Sequence, residues 1–311
     1  MKIVFLDRKT IGEDLDIEMF KDFGEVVIYD YSTSSEVPER VKDADIIILN
    51  KVQINENTIG TAEKLKLVCV TATGTNNLDK EYLAKKGIEW RNVAGYSTEA
   101  VAQHTFALLF YLYEHMAYYD GYVKEEKYVN DKMFTHFDTH FNEIAGKTWG
   151  IIGLGAIGQR VAQLAEAFGC NVQYYSTSGR NHSDKYKEVS FDELLMTSDI
   201  VSIHAPLDDN TLGLIDKEAL SKMKKSAILL NVGRGPIIVE KDLAEALNCG
   251  QIAAAGLDVL SVEPMTEDNP LKTIKDSNKL IITPHIAWAA VEARQRLMGI
   301  IYNQIKEWLQ L

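Results

Sequence analysis

The sequence predicts an α/β protein built from doubly wound parallel sheets in two domains. Three observations predict it. Short apolar runs of strand length alternate with helical patterns, as parallel strands joined by crossover helices do. Near the middle, GKTWGIIGLGAIGQRVAQLAEAFG (Gly146–Gly169) passes from strand through a glycine turn into a helix. A chain of 311 residues is also long enough for two separate cores.

In the first third, Lys2–Leu6, Val26–Tyr29, Ile46–Leu49 and Leu67–Val70 are expected as strands, with Glu13–Phe23 and Thr58–Leu65 among the helical segments between them. Loops at the carboxyl ends of such strands carry ligands. Asn50-Lys51-Val52 follows the third strand and Thr71–Asn77 the fourth. On the residues alone, the Gly74 loop is either an anion cup of backbone N–H groups or an ordinary glycine turn. From Ser97-Thr98-Glu99, an N-cap signal, Ala100–Met116 forms a long helix that is apolar on most sides. Such a helix is buried between domains or between subunits, and it is expected as the first crossover and a dimer contact. Tyr118–Ile144 is polar, aromatic and irregular; His136 and His140 stand four apart, but without an HExxH pattern they are expected as surface histidines and no metal site is expected.

The three glycines of the central motif differ in what they permit. Gly153 permits the tight turn, Gly155 lets the backbone approach a phosphate, and Gly158 lets the helix pack on the strand. The helix start offers free N–H groups and a positive dipole end to a dinucleotide pyrophosphate. Five more strands are expected at Val172–Tyr175, Ile200–His204, Ala227–Val232, Ala253–Val259 and Leu280–Thr283, with helices such as Lys217–Met223 and Val239–Leu247 between them, giving six in all. The last helix, Ala290–Leu311, has no strand after it and must dock on something already built.

The composition is ordinary, with 46% hydrophobic and 25% charged residues, and the net charge of −12 argues against nucleic acid or anionic membrane as partner. Three unpatterned cysteines (Cys69, Cys170, Cys249) are expected as buried free thiols in a reducing cytosol. Met1–Asp7 reads as a strand rather than a signal peptide, and no run is expected to span a bilayer; the expected location is cytoplasmic.

Three polar residues fall just past strand ends: Arg234, Glu263 and His285. Arginine offers a planar fork for a carboxylate, histidine can exchange a proton near neutral pH, and a glutamate can hold its ring. Each alone also fits an ordinary structural role. Reduction of a 2-keto acid needs a carboxylate anchor, a group that polarises the carbonyl, a proton donor and a hydride source.

ATGTNNLD (Ala72–Asp79), AVAQHTFALLF (Ala100–Phe110), GKTWGIIGLGAIGQRVA (Gly146–Ala162), HAPLDDNT (His204–Thr211), LLNVGRGPIIVEKDL (Leu229–Leu243), AGLDVLSVEP (Ala255–Pro264) and TPHIAWA (Thr283–Ala289) follow in this order. Together they resemble the D-isomer-specific 2-hydroxyacid dehydrogenases over nearly the whole chain. The resemblance implies a Rossmann cofactor domain, residues 99–288, inserted into a flavodoxin-like substrate domain made of residues 1–98 and 289–311. It implies that Arg234 binds the substrate carboxylate and carbonyl, that His285 is the general acid and base with Glu263 as its partner, and that the Gly74–Thr75 backbone takes the carboxylate. Lys51 is expected at the pocket edge, and Trp288 with the ATGTNN loop looks most like the glycerate dehydrogenase (hydroxypyruvate reductase) branch. The implied cofactor set is Thr105, Gly153, Gly155, Ala156, Ile157, Gly158, Ser176, Thr177, Arg180, His204, Pro206, Thr211, Val232, Gly233 and Asp258, the last near the nicotinamide carboxamide. Since reduction starts from protonated His285 and oxidation from neutral His285, the pH optimum is expected to be lower for reduction.

The sequence departs from the family at the end of its second cofactor-domain strand. NAD-specific members place an acid about twenty residues after the glycines for the ribose 2′-OH. Here Tyr174-Tyr175-Ser176-Thr177-Ser178-Gly179-Arg180 has none, so NADP(H) is favoured, with NAD(H) as the alternative. Gln103, where relatives usually have glutamate, is given no function. The expected reaction is reduction of hydroxypyruvate, glyoxylate or a similar small 2-keto acid to the D-2-hydroxy acid by a homodimer. D-lactate or aryl-pyruvate chemistry is the alternative within the family. Corepressors of the C-terminal-binding-protein kind share the triad, but these 311 residues include no interaction tail. Formate dehydrogenases use glutamine where this chain has Glu263.

Overall fold

The computed structural model describes residues 1–311 as two compact units, Met1–Ser97 with Trp288–Leu311, and Thr98–Ala287. In the first, strands β1 (Lys2–Phe5), β2 (Glu25–Ile28), β3 (Ile46–Leu49), β4 (Leu67–Val70) and β5 (Glu89–Arg91) form a parallel sheet in the order β2-β1-β3-β4-β5. Ile47 lies opposite both Val4 and Val68. Every residue of β3 and β4 is buried, as expected for inner strands covered on both faces. Each such aliphatic side chain contributes about 1.5–3 kcal/mol. Helices α1 (Val37–Val41), α2 (Glu56–Ile59) and α3 (Lys80–Lys86) join the strands. The closing helix, Val291–Trp308, buries Ala293, Leu297, Met298, Ile301 and Ile305 along one stripe. Its Tyr302 packs on Phe23 at 4.7 Å, and its Arg294 pairs with Asp14.

Three local expectations change here. Glu13–Phe23 is not an α-helix: its helical part is a 3-10 segment, Glu18–Phe23. The buried residues Ile17, Phe20 and Phe23 recur every third position, which suits three residues per turn. Of Thr58–Leu65, only the turns around α2 are helical, begun by a reciprocal Asn55–Thr58 capping box. Strand β5 was not expected because an edge strand written Glu-Trp-Arg carries no apolar run.

In the second unit, β6 (Thr148–Ile152), β7 (Asn171–Tyr175), β8 (Lys187–Glu188), β9 (Ile200–Ile203), β10 (Ile228–Asn231), β11 (Ala254–Leu257) and β12 (Leu280–Ile282) are parallel, in the order β12-β11-β10-β9-β6-β7-β8. The seventh strand is the two-residue edge β8, too short and polar to leave a hydrophobic signature. After β8 the chain crosses back over β6 to β9, so the carboxyl end of β6 is the switch point where an open α/β sheet binds ligands. Helices α4 (Thr98–Tyr113), α5 (Met116–Lys124), α6 (Ala156–Ala167), α7 (Phe191–Thr197), α8 (Lys217–Lys222) and α9 (Glu240–Cys249) complete the unit.

The helix expected to reach Met116 ends at Tyr113. His115 adopts a left-handed φ of 53°, and α5 then starts at Met116 and runs into the segment expected to be irregular. The apolar surface of α4 is covered largely within its own unit. Phe106 packs on Trp149 at 4.7 Å, and Gly256 lets Leu108 come so close that a Cβ there would stand 3.1 Å away. His136 and His140 lie outside any helix; the His136 ring stacks on Tyr122 at 3.7 Å. No group of three or more His, Cys, Asp or Glu gathers as a metal site. Cys69 and Cys170 are buried, and burial pushes their thiols up to about 12 and about 11. Cys249 is exposed, contrary to expectation, because it ends α9 on that helix's outer side. No helix is long and apolar enough to cross a membrane.

Candidate active site

The glycine turn leaves β6 with Gly153 at φ +90°, a left-handed conformation that glycine adopts freely. A Cβ on Gly153 would lie 2.8 Å from the Ala205 nitrogen, and one on Gly158 would overlap the Gly153 oxygen. Around Gly155 nothing stands within 4 Å of that position, so a ligand can approach the backbone there. Helix α6 begins at Ala156 with no side-chain cap, and the N–H of Gln159 is the one that bonds back to Gly155, at 2.9 Å. The N–H groups of Ala156, Ile157 and Gly158 belong to the first turn, which has no helical acceptors. This open cradle at a helix start fits a pyrophosphate.

At the end of β7, the Ser176 hydroxyl is buried without a hydrogen-bonding partner in the protein. Thr177 is half-buried and Arg180 exposed, beyond a turn in which Ser178 accepts the Arg180 N–H at 3.4 Å. The carboxylate of Glu188, on the neighbouring edge strand, is engaged by His182 Nδ1 at 3.0 Å and by the Tyr174 hydroxyl at 3.1 Å.

His204 ends β9. Trp149 Nε1–H donates to Ser202 Oγ at 2.8 Å, and Ser202 Oγ stands 2.9 Å from His204 Nε2. The buried serine proton has His204 Nε2 to donate to, which assigns the imidazole proton to Nδ1, a buried atom with no protein partner. Burial pushes this imidazole down to about 3, so it is neutral. Two orphaned polar atoms, Ser176 Oγ and His204 Nδ1, thus stand at the ends of the two strands flanking β6. They suit a polar ligand at the switch point. Pro206 is exposed, whereas Thr211 is fully buried and its hydroxyl donates to the Pro206 oxygen at 2.7 Å, stitching the loop. Thr105 is also fully buried, its hydroxyl donating to Val101 within α4. Both side chains are fully buried, and each hydroxyl proton is used locally.

Beyond β10, Val232 is buried and the Gly233 N–H donates to Asn231 Oδ1 at 3.0 Å. Half-buried Arg234 donates from Nη1 to the Gly233 oxygen at 2.8 Å. Its neighbour Gly235 is pressed against the Leu260 carbonyl, which leaves no room for a Cβ. The Arg234 loop therefore abuts the loop that carries Glu263. Glu263 accepts the Leu260 N–H on Oε1 at 2.9 Å and faces His285 Nδ1 with Oε2 at 2.7 Å. The structure brings Glu263 and His285 into direct contact through His285 Nδ1.

Asp258 lies 1% exposed, and both carboxylate oxygens are used: Oδ1 accepts Thr283 Oγ1–H at 2.6 Å and the Ile286 N–H at 2.9 Å, and Oδ2 accepts the Ala287 N–H at 2.8 Å. These bonds hold the His285 turn. That role, and the part of Thr283 and His104 in it, is absent from the linear pattern.

In the first unit, Asp7 at the end of β1 accepts the N–H groups of Asn50 and Lys51 at 2.8 and 2.6 Å, fixing the loop that carries exposed Lys51. Burial raises the Asp7 carboxyl above its usual range, against those amides. Gly74 and Thr75 are half-buried in a loop where Thr73 Oγ1 donates to the Val93 oxygen at 2.8 Å. Trp288 packs edge-on against Tyr96 at 6.4 Å.

A switch-point glycine cradle with a His–Glu pair beyond the strands of the same sheet defines a dinucleotide-binding α/β enzyme. Comparison with known proteins sharpens that class. Residues 106–287 match the family described as "D-isomer specific 2-hydroxyacid dehydrogenase, NAD binding domain". The chain is 40% identical over 318 residues to hydroxypyruvate reductase of Blautia hydrogenotrophica, covering 100% of this chain and 97% of that one. It is 36% identical over 309 residues to glycerate dehydrogenase of Methylorubrum extorquens, covering 99% and 96%. Among solved structures it is similar to an acyclic imino acid reductase in complex with NADPH and D-Arg, with a TM-score of 0.87 at 29% identity, covering 100% and 97%. The chain belongs to the D-isomer specific 2-hydroxyacid dehydrogenase family, in its glycerate dehydrogenase and hydroxypyruvate reductase branch. It is a nicotinamide-dependent oxidoreductase.

Proposed function

We propose that this enzyme reduces a small polar 2-keto acid, of the hydroxypyruvate or glyoxylate kind, to the D-2-hydroxy acid. The observation that carries this reading is the 2.7 Å Glu263–His285 contact in the unit that holds the glycine cradle. Names of similar proteins, hydroxypyruvate reductase and glycerate dehydrogenase, support the substrate class.

In this reading the nicotinamide nucleotide, when bound, supplies the hydride for C2 of the keto acid. Gly153, Gly155, Ala156, Ile157 and Gly158 would hold its pyrophosphate, with His204, Pro206, Val232 and Gly233 along the same edge. Glu263 holds His285 through Nδ1, so His285 donates its Nε2 proton to the carbonyl oxygen as negative charge grows there. The Arg234 guanidinium anchors the substrate carboxylate and stabilises that charge. Lys51, Gly74, Thr75 and Trp288 complete the proposed substrate-binding set. In the oxidative direction the same Nε2 must begin without its proton.

NADP(H) is the favoured cofactor. The absence of a carboxylate in residues 176–180, the orphaned Ser176 hydroxyl and the exposed Arg180 suit a 2′-phosphate. A homodimer is proposed too, and its support shifts from α4 to the exposed aromatic segment of Phe134, Phe137 and Phe141; light scattering on the purified protein tests it. The free cysteines support a cytoplasmic location.

Initial rates with hydroxypyruvate, glyoxylate, pyruvate and phenylpyruvate, each with NADPH and NADH, test the whole reading. Hydroxypyruvate or glyoxylate turnover preferring NADPH is expected. Faster pyruvate or phenylpyruvate turnover would transfer the substrate to the alternative branch. Tight nucleotide binding with no turnover of any keto acid would favour a nucleotide-sensing role.

A further inference from the structure

His285 has a φ of 56°, a left-handed conformation that a residue with a side chain keeps only where its surroundings over-determine it. Three consecutive N–H groups converge on Asp258 to do so: His285 on its carbonyl oxygen at 2.8 Å, Ile286 on Oδ1 at 2.9 Å and Ala287 on Oδ2 at 2.8 Å. Behind the carboxylate stands a second tier. Thr283 Oγ1 is 2.6 Å from Asp258 Oδ1, and His104 Nε2, from α4, is 2.9 Å from Thr283 Oγ1 and 3.5 Å from Oδ1.

Proton counting gives this chain a direction. A carboxylate only accepts, so the single Thr283 proton points at Asp258. The Thr283 oxygen must then accept from His104, which places a proton on His104 Nε2. We propose that His104 is a positioning residue for the catalytic turn: through Thr283 it fixes the Asp258 carboxylate, and Asp258 fixes the backbone that aims the His285 ring. The proposal rests on the reading of His285 as proton donor. It adds that α4, which carries no reacting group, sets the pose of the group that reacts.

The test uses the full-length enzyme and the variants His104→Leu, His104→Gln and Thr283→Val. In His104→Leu, kcat for the keto acid should fall about tenfold while KM for the nucleotide stays within about twofold, since a lost buried hydrogen bond is felt at the turn and not at the cradle. Hydrogen exchange at the Ile286 and Ala287 amides should quicken about tenfold in the same variant. His104→Gln, which restores an N–H donor, should recover most of both effects, and His104→Leu on top of Thr283→Val should add nothing. Wild-type kcat and exchange in His104→Leu would overturn the proposal. So would equal losses in the Leu and Gln variants with unchanged exchange, which would mean that the ring only fills space. Should the wild-type enzyme turn over no keto acid, the functional reading fails, and the exchange measurement still decides whether His104 holds the turn.

Discussion

His285 stands between a carboxylate that holds Nδ1 and a turn held by a second carboxylate, so its ring has little orientational freedom left. Replacing it with Asn removes the proton donor; kcat should drop roughly 10²–10⁴-fold with nucleotide affinity kept, checked by stopped-flow turnover beside fluorescence titration. Glu263→Gln is a subtler change. One carboxylate oxygen takes the Leu260 N–H and the other faces His285, and an amide can accept at only one of these. About a tenfold or greater fall in kcat at neutral pH is expected, visible in kcat–pH profiles; an unaltered profile would remove Glu263 from the mechanism. Arg180→Ala tests the cofactor: KM for NADPH should rise about tenfold and KM for NADH little, because only the former carries the 2′-phosphate that a guanidinium can pair. Equal effects on both nucleotides would make Arg180 a solvent-facing charge.

The strand-turn-helix unit of β6 and α6 makes its prediction at the level of an element. Gly158 faces the Gly153 carbonyl so closely that a methyl group would overlap the oxygen. Gly158→Ala must push α6 away from β6, at a cost of about 1–3 kcal/mol, and tilt the N–H groups that form the cradle. Nucleotide affinity should fall at least about tenfold while the far-ultraviolet circular dichroism stays that of the parent. Gly155→Ala meets no protein atom within 4 Å, so its effect on stability should be small and its effect on nucleotide binding should dominate. Thermal melts with and without nucleotide separate the two variants.

For the whole molecule, the acid limb of stability carries the mark of His204. Its folded value is lowered from 6.5 to about 3 by burial, so the unfolded chain takes up a proton between these values that the folded chain refuses. Stability from this group is complete above pH 6.5 and is lost as the pH falls toward about 3. Between pH 7 and pH 5 the loss amounts to about 2 kcal/mol. Asp7 acts with the opposite sign: its raised value means that stability from this group is lost as the pH rises through that value. Urea melts of the wild type and of His204→Gln at the two pH values isolate the histidine term; parallel losses in both proteins would contradict it.

What the chain reveals by itself follows from how each element is buried. The inner strands, such as Ile46–Leu49 and Ile228–Asn231, are covered on both faces and are written as unbroken apolar runs. The glycine turn is legible because a close approach forbids a side chain, which leaves glycine at fixed spacing. The edge strands Glu89–Arg91 and Lys187–Glu188 are not legible, since an edge half in water needs no apolar run. Nor is the choice of 3-10 over α-helix before Gly24, which depends on which residues find a core to enter. Arg234, Glu263 and His285 could be read as polar residues past strand ends, each with an ordinary alternative. Only the tertiary structure puts Glu263 at hydrogen-bonding distance from His285 and joins His104, Thr283 and Asp258 behind it. The reason is physical: apolar periodicity and steric exclusion act locally and leave a trace in the sequence, whereas a hydrogen-bond network joins residues up to 179 positions apart and exists only once the strands are in register.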